Sequence, residues 1–233
     1  MEELRTQRTA TGDLLAQGFM TKVYMWMAAG LLATAAISYY ASTSEAVLMA
    51  LFGRGMVPFI VLAVVEIGLV VYLSAKIASL NPTTAIALFF VYAALNGLTI
   101  APIFLAYTKE SISSAFFTSA GMFAAMSVYG TVTKRDMSGM GSFFMMGLIG
   151  LIIAGVINMF VGSAKADLII SIMGVLIFTG LTAYDTQKLK RLASEIGGNE
   201  DLHSNMAVLG ALKLYLDFIN MFLYLLRIFG RRK

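Results

Sequence analysis

The sequence predicts an all-α integral membrane protein built as a seven-transmembrane-helix bundle. Three observations predict it. The 233 residues are 59% hydrophobic and only 13% charged, where a soluble domain carries about 25% charged residues. The mean hydropathy is +0.81, and the apolar residues gather into long blocks. A hydrocarbon core about 30 Å thick takes about 20 apolar helical residues to cross. A transmembrane barrel would instead need alternating segments of about 10 residues, and these blocks are continuous.

Residues 1–20, beginning "MEELRTQRTATGDLLAQG", mix charges of both signs and have no apolar core. They read as a cytoplasmic N-terminal tail, not a signal peptide, with the first span acting as the insertion signal. The transmembrane domain covers 21–229. Its seven blocks are 21–41, 57–78, 83–107, 112–132, 141–162, 166–186 and 206–228, each long enough to span with some tilt. Small residues in "SAGMFAAMSVYG" (119–130) and "GLIGLIIAG" (147–155) supply helix contacts. Gly121 and Ala125 have the small-xxx-small spacing that lets backbones approach. The sixteen methionines read as flexible packing, not a metal pathway. Connections are short except 187–205, a polar stretch read as a loop that carries Gly197-Gly198 and His203. A basic C-terminal tail, 230–233, closes the chain. No internal repeat is evident, so an inverted-repeat transporter gains little support.

Lysine and arginine in the loops set orientation. Arg5, Arg8, Lys22, Lys76, Lys134, Arg135, Lys188, Lys190 and Arg191 fall on the side of the N-terminus. Arg54, Lys109 and Lys165 fall opposite, so the N-terminus is placed in the cytoplasm. Seven spans then leave "RIFGRRK" outside, against the preference of Arg231, Arg232 and Lys233; either the tail is tolerated there or the last segment dips in and returns, and seven full spans are the favoured reading.

Several chemistries are excluded. With no cysteine there is no disulfide, thiol catalysis or thiolate metal site. A single histidine, His203, provides no multi-histidine zinc or haem centre, and no tightly bound cofactor is expected. The net charge of +4 reads as membrane topology and not nucleic-acid binding. No Gly-x-Ser-x-Gly elbow is present, so no enzyme activity is expected.

Charges within the spans are therefore the informative residues. Each costs about 2.5–3.5 kcal/mol at a helix centre on insertion scales, and such groups usually face the bundle interior. Glu66 lies near the middle of the second block, in "FIVLAVVEIGLVVYL". Two readings stand: a protonated acid hydrogen-bonded to a neighbouring helix, or an ion or proton site. Asp185 ends the sixth block, where Lys188 and Lys190 offer partners. Asp217 lies inside the seventh, and Lys213 is one turn away, able to pair with it or to snorkel to the surface. Both aspartates fit in the cytoplasmic half, but spacing leaves open whether they touch. If they do, two carboxylates in a low-dielectric site cannot both ionise cheaply and would titrate as a coupled unit. Their oxygens also suit a hard cation such as calcium. Arg227 reads as an interfacial anchor or as half of a gating ion pair.

The motifs "NGLTIAPIFLAYT" (96–108), "YGTVTKRDMS" (129–138) and "GLTAYDTQKLK" (180–190), in that order, resemble the Bax inhibitor-1 (transmembrane Bax inhibitor motif) family. The resemblance covers nearly the whole chain after residue 20 and points to a bacterial member. It implies a seven-helix bundle whose last helix is central, and a pH-sensitive calcium-leak channel of the inner membrane with an aspartate pair near its cytoplasmic mouth. The pair maps to Asp185 and Asp217, the second-helix acid to Glu66 and the last-helix arginine to Arg227. A basic residue expected near the end of the second helix matches Lys76 only loosely, and the acidic "SEIGGNED" makes the last connection longer than the family pattern. The implied partners are the lipid bilayer and calcium or other cations as permeant ions. The resemblance also raises a different class of role, a regulatory partner or inhibitor of a membrane-bound protease acting through the N-terminal tail.

Overall fold

The computed structural model describes residues 2–53, 55–196 and 200–233. Arg54 and Gly197-Gly198, used above, lie outside the described residues. The helices are α1 (Glu2–Thr43), α2 (Glu45–Phe52), α3 (Val57–Lys76), α4 (Pro82–Ile100), α5 (Pro102–Ala106), α6 (Lys109–Val132), α7 (Met140–Val161), α8 (Ala164–Glu195) and α9 (Glu200–Phe229), with one 3-10 turn, Ile77–Ser79, extending α3. No strand forms among the described residues; Tyr107 and Arg232 make an isolated antiparallel bridge. Among the described residues seven helical stretches are long and apolar enough to cross a membrane, and they match the seven blocks in order.

Local chemistry sets the helix ends. Ser44, Asn81 and Thr108 hold the N-caps of α2, α4 and α6, each accepting a hydrogen bond from a backbone N–H of the first turn, which would otherwise be orphaned. Pro82 sits in the first turn of α4, where its missing N–H costs nothing. Gly162 ends α7 at φ 67°, a left-handed conformation that glycine adopts without strain.

Three sequence expectations change. The third block is not one helix: Pro102 lacks the N–H that would continue the ladder, so α5 starts afresh after Ala101. The polar stretch 187–205 is mostly helix, because α8 runs on to Glu195 and α9 begins at Glu200. His203 is therefore not a loop residue; it lies in the first turns of α9, edge-on to Phe19 with ring centroids 5.0 Å apart. Gly121 and Ala125 do not mediate a helix contact, since both are exposed and no neighbouring atom comes within 4 Å of a Cβ at Gly121. The close approach on α6 falls at Gly130, where a Cβ would collide with the Ala183 carbonyl of α8. On α7 the expectation holds at Gly147, against Ile177.

Burial reads inversely to that of a soluble protein. Ile60, Val61, Val64, Ile67 and Val71 of α3 are exposed, as are Ile149, Ile153 and Val156 of α7. Apolar faces of this extent mark a surface that meets lipid. The α3 and α7 spans are each only 11% buried, whereas α9 is 67% buried.

The chain divides into two compact units. The first comprises Met1–Ala106 and Lys190–Tyr215, the second Tyr107–Leu189 and Leu216–Lys233. In the first, α1 packs tightly on α4: a Cβ on Gly97 would stand 2.8 Å from the Thr34 carbonyl oxygen, and Phe89 and Tyr92 meet the Tyr215 ring edge-on at 5.9 and 5.8 Å. In the second, α8 meets α6 at Gly130, and α7 through Gly147 and Phe144. Phe218 of α9 packs on Phe116 and Phe123 of α6.

Candidate functional site

In the first unit Glu66 is buried on α3. Its carboxylate accepts a hydrogen bond from the Asn96 amide nitrogen at 3.2 Å and another from the Thr99 hydroxyl, both on α4. Asn96 thereby turns its amide oxygen away from Glu66, and that oxygen accepts from the Tyr215 hydroxyl at 3.0 Å. Tyr215 in turn lies 2.7 Å from the Thr34 hydroxyl, which also reaches the Ala93 carbonyl at 2.8 Å. The result is a polar chain, Glu66–Asn96–Tyr215–Thr34, linking α3, α4, α9 and α1. Two hydroxyl protons, on Thr34 and Tyr215, serve three contacts. One contact must go without a proton in any single arrangement, so the two protons can be placed in three ways. Buried polar groups require partners, and the apolar blocks had to supply them from residues dispersed in sequence.

In the second unit Asp217 is 4% exposed on α9, and Asp185 is half-buried on α8. Both take part in polar interactions. The backbone around Asp185 is firmly placed. The Gln187 side chain accepts from the Met137 N–H at 2.9 Å and donates to the Arg135 carbonyl at 2.9 Å, so it closes the α6–α7 connection against α8. Ala183 abuts Gly130, and Lys188 lies over the Tyr184 ring at 5.6 Å. Ala183, Tyr184, Gln187 and Lys188 thus anchor the segment of α8 that carries Asp185. Asp217 precedes Phe218, whose ring is wedged between Phe116 and Phe123.

Arg227, also in this unit, has a partner that the sequence reading left unnamed. Its guanidinium stands 3.9 Å from the Asp167 carboxylate in the first turn of α8 and 5.5 Å from the Tyr224 ring centre. Lys76 ends α3 as an exposed side chain and has no ion pair among the described residues.

Sequence reasoning picked out Glu66, Asp185, Asp217, Arg227 and Lys76 and missed Asn96, Thr99, Tyr215, Thr34 and Asp167. Asn96 and Thr99 lie within "NGLTIAPIFLAYT", which served above only as a family signature; polar residues in an apolar block were the signal available. Among the described residues no three His, Asp or Glu side chains gather into a group able to hold a metal ion.

A family model described as "Inhibitor of apoptosis-promoting Bax1" matches residues 16–233. The inner membrane protein YbhL of Escherichia coli K12 is 47% identical over 220 residues, covering 93% of each chain. An uncharacterized protein of Deinococcus radiodurans is 44% identical over 233 residues, 100% of this chain and 98% of the relative. Another, from Borreliella burgdorferi, is 43% identical over 220 residues, 94% of each. With seven helices among the described residues long and apolar enough to cross a membrane and a family match over nearly its whole length, this chain belongs to the Bax inhibitor-1 family.

Proposed function

We propose that this protein is a multi-pass cation leak channel of the inner membrane, sensitive to pH and permeable to calcium, with its gate at the carboxylates of the last two long helices and its N-terminus in the cytoplasm. The observation that carries this reading is the burial of Asp217 in an otherwise apolar stretch of α9, in a unit that also holds Asp185. An acid inside a membrane span is retained at a cost and marks an ion or proton path by default. Two carboxylates bind a divalent cation when deprotonated and lose that ability when they share a proton. Two ligands make a weak site, which suits passage better than storage, since conduction needs a site that an ion can leave.

The test is calcium flux into proteoliposomes across a pH series. Flux rises with pH in the wild type, as the shared proton leaves. Asp217→Asn and Asp185→Asn each flatten that dependence. A pH profile unchanged in both variants sinks the proposal. Deleting residues 2–18 separates it from the protease-partner role: a channel keeps its flux without the tail, whereas a protease regulator loses its association.

A further inference from the structure

The second unit contains a half-open cavity of about 600 Å³ that the proposed ion path does not use. One wall is apolar, made by α7 between Leu151 and Met159. Ile152, Val156 and Met159 on this wall are also largely exposed, so it continues onto the lipid-facing surface. The other wall is polar: Tyr107, Asp167, Tyr224, Arg227 and Arg232, and Asn158 adds an amide near the end of the α7 wall. Two guanidiniums against one carboxylate leave this wall with a net charge of +1. The Arg227–Asp167 pair is long, at 3.9 Å, and both side chains are close to half exposed. Such pairs hold weakly. Arg232 has no carboxylate partner among the described residues.

Arg232 is nevertheless not on a loose tail. The Thr108 N–H donates to the Arg231 carbonyl at 3.2 Å, and the Arg231 N–H donates to the Ser111 hydroxyl at 2.9 Å. Tyr107 and Arg232 form the antiparallel bridge. Gly230 permits this fold-back, since a Cβ there would stand 2.5 Å from the Tyr107 ring. The chain end is thus folded back so that Arg232 lines the same cavity as Arg227 and the apolar residues of α7.

We propose that this cavity binds an anionic phospholipid, its phosphate on Arg227 and Arg232 and an acyl chain along the α7 wall. Guanidinium forks match phosphate oxygens in a way that an ammonium does not. The apolar wall selects an amphiphile over a soluble anion. The volume lies within the range of small-ligand sites. A bound phosphate competes with Asp167 for Arg227, so occupancy loosens the tie between the end of α9 and the start of α8. Lipid composition then becomes an input to the helix that carries Asp217.

The experiment is native mass spectrometry of the full-length protein after incubation with equimolar phosphatidylglycerol and phosphatidylcholine, with and without excess glycerol phosphate. Phosphatidylglycerol is retained in preference, and glycerol phosphate does not displace it. Arg232→Gln lowers its retention about fivefold, the loss expected for one basic residue facing an anionic lipid. Lys109→Gln, the same charge change outside the cavity, leaves retention unchanged. Asp167→Asn raises retention by removing the competing carboxylate, a gain that misfolding cannot produce. Equal retention of the two lipids, equal loss in Arg232→Gln and Lys109→Gln, or no gain in Asp167→Asn overturns the site. Displacement by glycerol phosphate overturns the lipid assignment in favour of a soluble anion.

Discussion

Glu66 and Arg227 pose the same problem, a charged group in an apolar helix, and the molecule solves it in two ways. Glu66 is buried, and neutral donors satisfy it: an amide and a hydroxyl on α4, relayed to hydroxyls on α9 and α1. Arg227 is half exposed, and it is met by an acid at 3.9 Å and an aromatic face. The difference lies in what an absent partner would cost. A buried acceptor stripped of its donor carries its full desolvation penalty, about 1–3 kcal/mol. A half-exposed ion pair contributes about 0–1 kcal/mol because solvent and mobility dilute it. The first arrangement therefore suits architecture or a fixed relay, and the second suits a contact that is meant to be exchanged.

Substitutions can break this contrast, and the largest effect is expected at Asn96. Asn96→Leu keeps the branched shape and removes the junction of the polar chain, which takes one donor from Glu66 and the amide acceptor from Tyr215 and leaves them Thr99 and Thr34. Thermal unfolding in detergent should show a loss of about 2–3 kcal/mol. A loss below that of Arg227→Gln would reverse the ranking. Thr99→Val comes next: it takes one donor from Glu66 and leaves the Asn96 amide in place. About 0.5–1.5 kcal/mol is expected, in line with single hydrogen bonds between membrane helices. The smallest effect should be the coupling between Arg227→Gln and Asp167→Asn in a double-mutant cycle, below about 1 kcal/mol. A coupling of several kcal/mol would make that pair a structural clamp and remove the basis for its exchange with a lipid phosphate.

The same contrast marks how far the sequence could be read. The apolar blocks predicted the seven spans because crossing a bilayer is a matter of length and transfer free energy along one dimension. The connections were less legible. A polar stretch such as 187–205 reads as a loop when hydropathy is the guide, yet α8 continues through its charged end to Glu195, since charged residues such as lysine and glutamate are good helix formers outside the membrane. Gly121 shows the converse error. A small residue permits close packing but does not decide which face meets a neighbour, and that face turned out to carry Gly130 instead.

Fold class, the number of spans and the identity of the costly charges Glu66, Asp185, Asp217 and Arg227 followed from the sequence by itself. Each rests on the price of moving one residue or one block from water to hydrocarbon, which neighbours barely alter. Partners were decided only by the tertiary structure. Asn96 and Thr99 come to Glu66 from another helix, Asp167 comes to Arg227 from the start of α8, and Arg232 returns to Tyr107 through a backbone bridge. Hydrogen bonds and ion pairs act over a few ångströms, so they depend on which helix faces meet, and spacing along a single chain does not contain that.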